Sequence, residues 1–236
     1  MMSSSLLKAE RLGLITGASR GLGLALARRL ARSGWRLIID ARTASELELA
    51  RSELAQWSEI AAIAGDIGAA EHQEALASLV ARWGRLDLLV NNASILGPSP
   101  QPVLLDYPLD MLEQVYRVNT FAPLSLIQRL GRYLPSGACI INVTSDAARE
   151  PYPGWGGYGS SKAALEQLTA ILAAEQPQWR IYLVDPGDMN TRLHQEAFPG
   201  EDISDRPPPE VSVPGLVALI EGDYPSGRYL AREVKR

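Results

Sequence analysis

Six short apolar runs, at 12–16, 36–40, 60–64, 86–91, 138–144 and 180–185, alternate along this chain with stretches of a different rhythm. Between them, residues 22–33, 45–57, 70–83, 109–130 and 160–174 carry apolar side chains at helical spacing. This alternation narrows the fold more than any other feature. Parallel strands can be joined only by a crossover, and an amphipathic crossover helix must cover a face of the sheet. The pattern predicts a single α/β domain over 1–236, a doubly wound parallel sheet with helices on both faces. Such sheets bind ligands in the crevice outside the carboxyl ends of their strands. Residues 192–213, with Pro-Gly-Glu-Asp and three consecutive prolines, break the rhythm and read as a long irregular insertion, a candidate substrate loop.

Charge and cysteine usage exclude several classes of function. A net charge of −4, with arginines spread among carboxylates, gives no basis for nucleic-acid or anionic-membrane binding. The single cysteine, Cys139, rules out an intramolecular disulfide and falls in an apolar run, where it reads as a small buried hydrophobe. His72 and His194 have no partner at ligand spacing, so no metal site is expected. No apolar run reaches a membrane span, and the first ten residues lack the apolar region of a secretory signal. The expectation is a cytoplasmic protein.

The unusual residues cluster where the runs end. After the first comes Thr16-Gly17-Ala18-Ser19-Arg20-Gly21-Leu22-Gly23, opening into a helix; glycines allow close approach of a pyrophosphate, and the helix start supplies free N–H donors. The second run ends Asp40-Ala41-Arg42. An acid there suits the ribose hydroxyls of NAD, whereas an arginine suits the 2′-phosphate of NADP. With Ala41 taken at the usual acidic position, Arg42 and Arg20 favour NADP(H) over NAD(H). Asp66, beside Ile67, either receives an adenine amino group or caps the next helix. Asn91-Asn92-Ala93-Ser94 closes the fourth run, Ser145 the fifth, and Asp185-Pro186-Gly187-Asp188-Met189-Asn190-Thr191 follows the sixth. Asn119 sits inside a helical stretch that asparagine disfavours, which marks either a local irregularity or a water site.

Lys162 stands out in a chain that otherwise uses arginine. Only Lys8 and Lys235, near the ends, accompany it, and it follows Tyr158 by four residues in Tyr158-Gly159-Ser160-Ser161-Lys162. On a helix those positions share a face. An ammonium about 5 Å from a phenol, at an effective dielectric near 20, favours the phenolate by about 3 kcal/mol. That is about two pKa units below the ordinary tyrosine value, enough to make Tyr158 a proton donor and acceptor near neutrality.

In this order and spacing, the glycine turn, Asn-Asn-Ala, Asn119, Ser145, Tyr158-x-x-x-Lys162 and Pro186-Gly187 resemble the classical short-chain dehydrogenases/reductases over essentially the whole chain. The resemblance implies a Rossmann-type fold and an NAD(P)-dependent oxidoreductase acting on a small carbonyl or alcohol. Tyr158 would be the acid/base, Ser145 would polarise the carbonyl, Lys162 would hold the nicotinamide ribose and lower the Tyr158 pKa, and Asn119 would anchor a water beside Lys162. Gly17, Ser19, Arg20, Gly21, Leu22, Gly23, Arg42, Asp66, Ile67, Asn92, Ala93, Pro186, Gly187, Met189 and Thr191 would join Tyr158 and Lys162 in binding the cofactor. Ser145, Tyr152, Trp155, Tyr158 and Leu193 would meet the substrate, and with Pro153, Met189, His194 and Phe198 they suggest a hydrophobic ketone or aldehyde. A homodimer or homotetramer is implied, through the helices carrying Asn119 and Tyr158. Departures are Ser94 in place of the usual glycine, Thr144-Ser145 in place of paired serines, and an ending shorter than the family's. The competing readings are a non-catalytic cofactor-binding protein on the same fold and a sugar-nucleotide epimerase of the longer related type.

Overall fold

The protein is described from a computed structural model, which covers residues 11–235; residues 1–10 and 236 of the expected domain lie outside the described residues. Seven parallel strands form one sheet in the order β3-β2-β1-β4-β5-β6-β7. They are β1 (Leu12–Ile15), β2 (Arg36–Ala41), β3 (Ile60–Ala64), β4 (Leu88–Asn91), β5 (Cys139–Val143), β6 (Arg180–Asp185) and β7 (Gly227–Leu230). The helices are α1 (Gly21–Arg32), α2 (Ala44–Leu54), α3 (Ala70–Trp83), α4 (Leu109–Tyr116), α5 (Ala122–Leu130), α6 (Gly156–Glu175), α7 (Arg192–Ala197) and α8 (Val213–Glu221). This is the doubly wound, Rossmann-type arrangement that the alternation predicts.

The inner strands read as largely apolar runs because both faces are covered, while the edge strands β3 and β7 are only half-buried. Side chains alternate between two cores with the period of two that a pleat imposes. Ile15, Leu37, Ile39, Leu88, Val90, Ile141 and Val184 enter one core with the buried faces of α1, α2 and α8. Leu14, Ile38, Leu89, Ile140 and Ile181 enter the other with α3 and α5. The strand order reverses between β1 and β4, which opens a crevice at their carboxyl ends.

Three local features differ from the sequence expectation. The stretch 109–130 is not one helix: α4 and α5 are joined by a π-helical turn, Arg117–Phe121, with Asn119 at its centre. The irregularity that asparagine suggested is a widened turn, a feature that concentrates at functional sites. The stretch 192–213 is more ordered than an irregular loop, since it carries α7 and a 3₁₀ turn at Pro209–Val211. Helix α8 was not expected at all. Seven of its nine residues are buried, so it has no polar face to generate a helical period.

Candidate active site

Strand β1 leads directly into the glycine turn, and packing dictates where glycine is required. Gly17 has φ 65°, and a Cβ there would lie 2.9 Å from the Ala93 backbone; one on Gly23 would lie 2.6 Å from the Gly17 carbonyl and from Asn92 Nδ2. The Thr16 hydroxyl accepts the N–H groups of Asn92 and Ala93, each at 3.0 Å. Asn92 in turn donates its amide to the Thr16 and Gly17 carbonyls at 2.8 and 3.1 Å. The end of β4 therefore braces the turn from beneath. Above it, α1 starts without a side-chain cap and without an acidic residue in its first turn. Its first N–H groups and positive dipole end are left for an anion. These residues fit a pyrophosphate.

At the end of β2, Asp40 points inward. It is 1 % exposed, with Oδ1 accepting the Gly17 N–H at 2.8 Å and Oδ2 lying 2.9 Å from His72 Nε2. Arg42, two residues on, is exposed and makes no hydrogen bond or ion pair among the described residues. Arg20 is half exposed and pairs with Glu46 at 2.8 Å.

Helix α6 carries Tyr158 and Lys162, and both are buried. The Lys162 ammonium donates to the Val143 carbonyl at 2.8 Å and lies 5.6 Å from the Tyr158 ring centroid. Burial pulls the lysine down from 10.5 to about 8. The tyrosine does not behave as its spacing from Lys162 suggests. Burial raises the Tyr158 pKa well above its ordinary value, hydrogen bonding from Ser94 and Ser145 opposes the rise, and the charges of Asp185 and Asp146 add to it. The two-unit depression expected from Lys162 alone is corrected here: desolvation of the phenolate outweighs it, and Lys162, itself buried, spends a donor on Val143.

Ser145 caps the 3₁₀ turn Asp146–Ala148 and donates to Asp146 Oδ1 at 2.9 Å. Behind it, Arg228 on β7 reaches the Ser145 carbonyl at 3.3 Å, Asp185 at 2.8 Å and Glu166 at 2.9 Å. Asp185 Oδ1 accepts the Gly187 N–H at 2.9 Å, so one guanidinium ties the ends of β5 and β6 to α6. Asn119 is fully buried and its amide is saturated. Oδ1 accepts from Ser94 Oγ (3.0 Å) and the Ile95 N–H (2.9 Å); Nδ2 donates to the Ile95 carbonyl (2.9 Å) and Ser161 Oγ (3.0 Å). Two acceptor sites and two donors are all an asparagine side chain offers. The expected water therefore has no site on this amide.

These elements enclose a cavity of about 530 Å³. Its wall takes Gly17, Ser19, Arg20, Gly21, Leu22, Arg42, Asp66, Ile67, Asn92 and Ala93 from one half, and Ser145, Tyr158, Lys162, Pro186, Gly187, Met189 and Thr191 from the other. Trp155 and Leu193 close the far end, where the Trp155 ring stands 5.9 Å edge-on from Tyr158. Five expected residues are off the wall, Pro153 and Phe198 among them. Gly23 and Asn119 support it from behind, and Tyr152 is 45 % exposed with its hydroxyl donating to Asp146 Oδ2 at 3.1 Å. His194, expected at the pocket, lines the cavity; Asp146 and Asp188 line it without having been singled out as site residues. The glycines on either side of Tyr158 serve close packing: a Cβ on Gly156, Gly157 or Gly159 would meet Leu104, the Tyr107 hydroxyl or the Ala147 carbonyl within 2.5 Å.

Comparison with known proteins agrees with this geometry. The sequence model described as short chain dehydrogenase matches residues 12–202. A short-chain dehydrogenase/reductase, FrzI, of Cladobotryum sp. is 30% identical over 227 residues, covering 89% of this chain and 87% of its own. A short chain dehydrogenase from Pseudomonas syringae superposes with a TM-score of 0.87 at 32% identity, covering 94% of each chain. One from Shigella flexneri, solved with NADP, gives a TM-score of 0.87 at 27% identity over 94% of this chain and 97% of that one.

Proposed function

The chain belongs to the short-chain dehydrogenase family, and we propose that within it the protein is an NADP(H)-dependent reductase of a hydrophobic ketone or aldehyde, working equally on the matching secondary alcohol. The observation that carries this reading is the convergence of the Tyr158 phenol, the Ser145 hydroxyl and the Lys162 ammonium with an anion-ready glycine turn in one cavity. When bound, the nicotinamide supplies or accepts a hydride at the substrate carbon. The protein's own groups do the rest. Tyr158 gives its proton to the carbonyl oxygen, and Ser145 holds that oxygen with a hydrogen bond. Lys162, near the phenol and of lowered pKa, offsets charge as the phenolate forms. Asn119 acts from behind, tying the Ser94-Ile95 segment to Ser161 of α6.

Three features support NADP(H). Arg42 at the end of β2 has no ion pair among the described residues, Arg20, paired with Glu46, lines the same cavity, and the Asp40 carboxylate is held by the Gly17 N–H and His72. The apolar end formed by Trp155, Leu193 and Met189, under the segment carrying α7, favours a hydrophobic substrate. Exposed Leu104, Leu105, Leu109 and Phe121, before and on α4 and on the π turn that carries Asn119, favour a homodimer or homotetramer joined through the helices carrying Asn119 and Tyr158, in a protein whose proposed location is the cytoplasm.

The test is steady-state oxidation of NADPH and NADH with aromatic and aliphatic ketones and aldehydes. The reading expects NADPH to be preferred and Arg42→Ala to raise the KM for NADPH about tenfold or more while leaving NADH little changed. Preference for NADH, or equal loss with both cofactors in Arg42→Ala, would overturn the NADP(H) assignment.

A further inference from the structure

Asp146 stands on the cavity wall next to Ser145 and takes no part in the chemistry above. Three donors converge on it. Ser145 Oγ at 2.9 Å and the Ala147 N–H at 2.8 Å donate to Oδ1, and the Tyr152 hydroxyl donates to Oδ2 at 3.1 Å. Both oxygens accept, as those of an ionised carboxylate do. None of the three donors carries a charge, so they orient the carboxylate without balancing it. Beyond the desolvation that dominates the Tyr158 pKa, the charges of Asp185 and Asp146 push it higher, so Asp146 lies within electrostatic reach of the reacting phenol.

No cation among the described residues forms an ion pair with Asp146. Arg149, three residues on, pairs with Glu166 at 3.1 Å, and Arg228, bonded to the Ser145 carbonyl, is taken by Glu166 and Asp185. On the cavity wall, Lys162 donates to the Val143 carbonyl and Arg192 pairs with Glu196 at 3.1 Å. The other acid at this end, Asp188, has only His194 Nδ1 at 3.9 Å and Arg206 Nε at 4.0 Å beside it. Aromatic rings gather at the same place. Trp155 lines the cavity, and its ring centroid lies 6.3 Å from Tyr152, 5.9 Å from Tyr158 and 5.9 Å from Phe198. An unbalanced carboxylate and electron-rich rings attract the same kind of ligand, an organic cation. An anionic substituent would be repelled here.

We propose that Asp146 is a specificity-determining residue that selects ketones or aldehydes carrying a positively charged amine or quaternary ammonium close to the reacting carbonyl, with Trp155 supplying the aromatic wall. This rests on the carbonyl-reductase reading above and narrows its substrate class. Ser145 links the two tasks. Its hydroxyl serves the carbonyl oxygen in that reading and stands 2.9 Å from the Asp146 carboxylate, so a nitrogen held by Asp146 lies near the carbon that accepts hydride.

The probes are phenacyl trimethylammonium and its neutral isostere, with a tert-butyl group in place of the trimethylammonium. Dissociation constants are measured by isothermal titration calorimetry on the full chain with oxidised cofactor added, so that binding is read without turnover; circular dichroism checks folding. The readout is the affinity for the cation divided by that for the isostere, which cancels any general disturbance of the pocket. Asp146 is exposed and its charge partly screened, so Asp146→Asn is expected to lower the ratio by about tenfold. Trp155→Leu keeps apolar contact but removes the ring, and should lower it by about threefold. A carboxylate that only caps its own turn would leave the ratio unchanged. A ratio in Asp146→Asn within about twofold of wild type overturns the proposal, as does wild type that fails to bind the cation. Turnover is scored separately: wild type that binds the cation through Asp146 yet reduces neither ketone with NADPH or NADH supports the cation site and contradicts the reductase reading.

Discussion

Replacing Lys162 with methionine is expected to make the protein more stable and inactive. The lysine is 2 % exposed, and burial lowers its pKa from 10.5 to about 8. At about 1.4 kcal/mol per unit, keeping this ammonium charged in the fold costs about 3 kcal/mol at neutral pH. Methionine removes that cost but deprives the Val143 carbonyl of its donor, a loss of about 1–2 kcal/mol. The net gain is about 1–2 kcal/mol, a rise of about 3–6 °C in Tm for a chain of this size. The pH dependence gives the effect a signature. Between pH 8 and 10.5 the unfolded lysine holds its proton while the folded one has released it, so wild-type stability climbs with pH across that window. The advantage of Lys162→Met should be full below pH 8, shrink through zero between pH 8 and 10.5, and give way above to a deficit of about 1–2 kcal/mol from the lost Val143 bond. Urea unfolding followed by circular dichroism at pH 7 and pH 10 measures it. A variant less stable than wild type at pH 7, or a gap of equal size at both pH values, would refute the reasoning. A residue kept against such a cost is kept for chemistry.

Three further substitutions probe the supports of the site. Ser94→Gly removes a hydroxyl whose hydrogen bonding holds the Tyr158 pKa down; the apparent pKa of the acid/base group in the kcat/KM profile should rise. Gly65→Ala drives a methyl into His72, which is held by Asp40 and cannot retreat, so its urea midpoint should fall by the equivalent of about 1–3 kcal/mol. Arg228→Leu leaves the Asp185 carboxylate without its guanidinium and Glu166 with Arg149 alone, and should cost about 3 kcal/mol in the same assay, with kcat falling because the backbone at Ser145 loses its anchor.

The layout of the first six strands was legible because the inner ones are covered on both faces and the helices between them on one. Period and length alone then separate strand from helix. The glycine turn, Asn92, Ser145, Tyr158 and Lys162 could be read for a related reason: each sits at a strand end or on one helix face, where local spacing predicts proximity. Asn119 was legible as an anomaly, since a poor helix former inside a helix signals a departure such as its π turn. What could not be read depends on burial and on distant contacts. Spacing predicts that Lys162 lies near Tyr158 but not that both are dry, and dryness reverses the expected pKa shift. The inward turn of Asp40 depends on His72, thirty-two residues away, and the brace on Ser145 comes from Arg228, eighty-three residues on. Helix α8 was invisible because a helix buried on all sides leaves no polar stripe.

The most direct test of the account follows a single atom. Wild type and Tyr158→Phe are each incubated with NADPH deuterated at C4 and an aromatic ketone, and the alcohol is analysed by mass spectrometry. The account predicts deuterium on the carbinol carbon with wild type. It predicts none above background with Tyr158→Phe, although that variant still quenches NADPH fluorescence on binding. Equal label transfer by the variant would show that Tyr158 is not the proton donor, and the central assignment would fall.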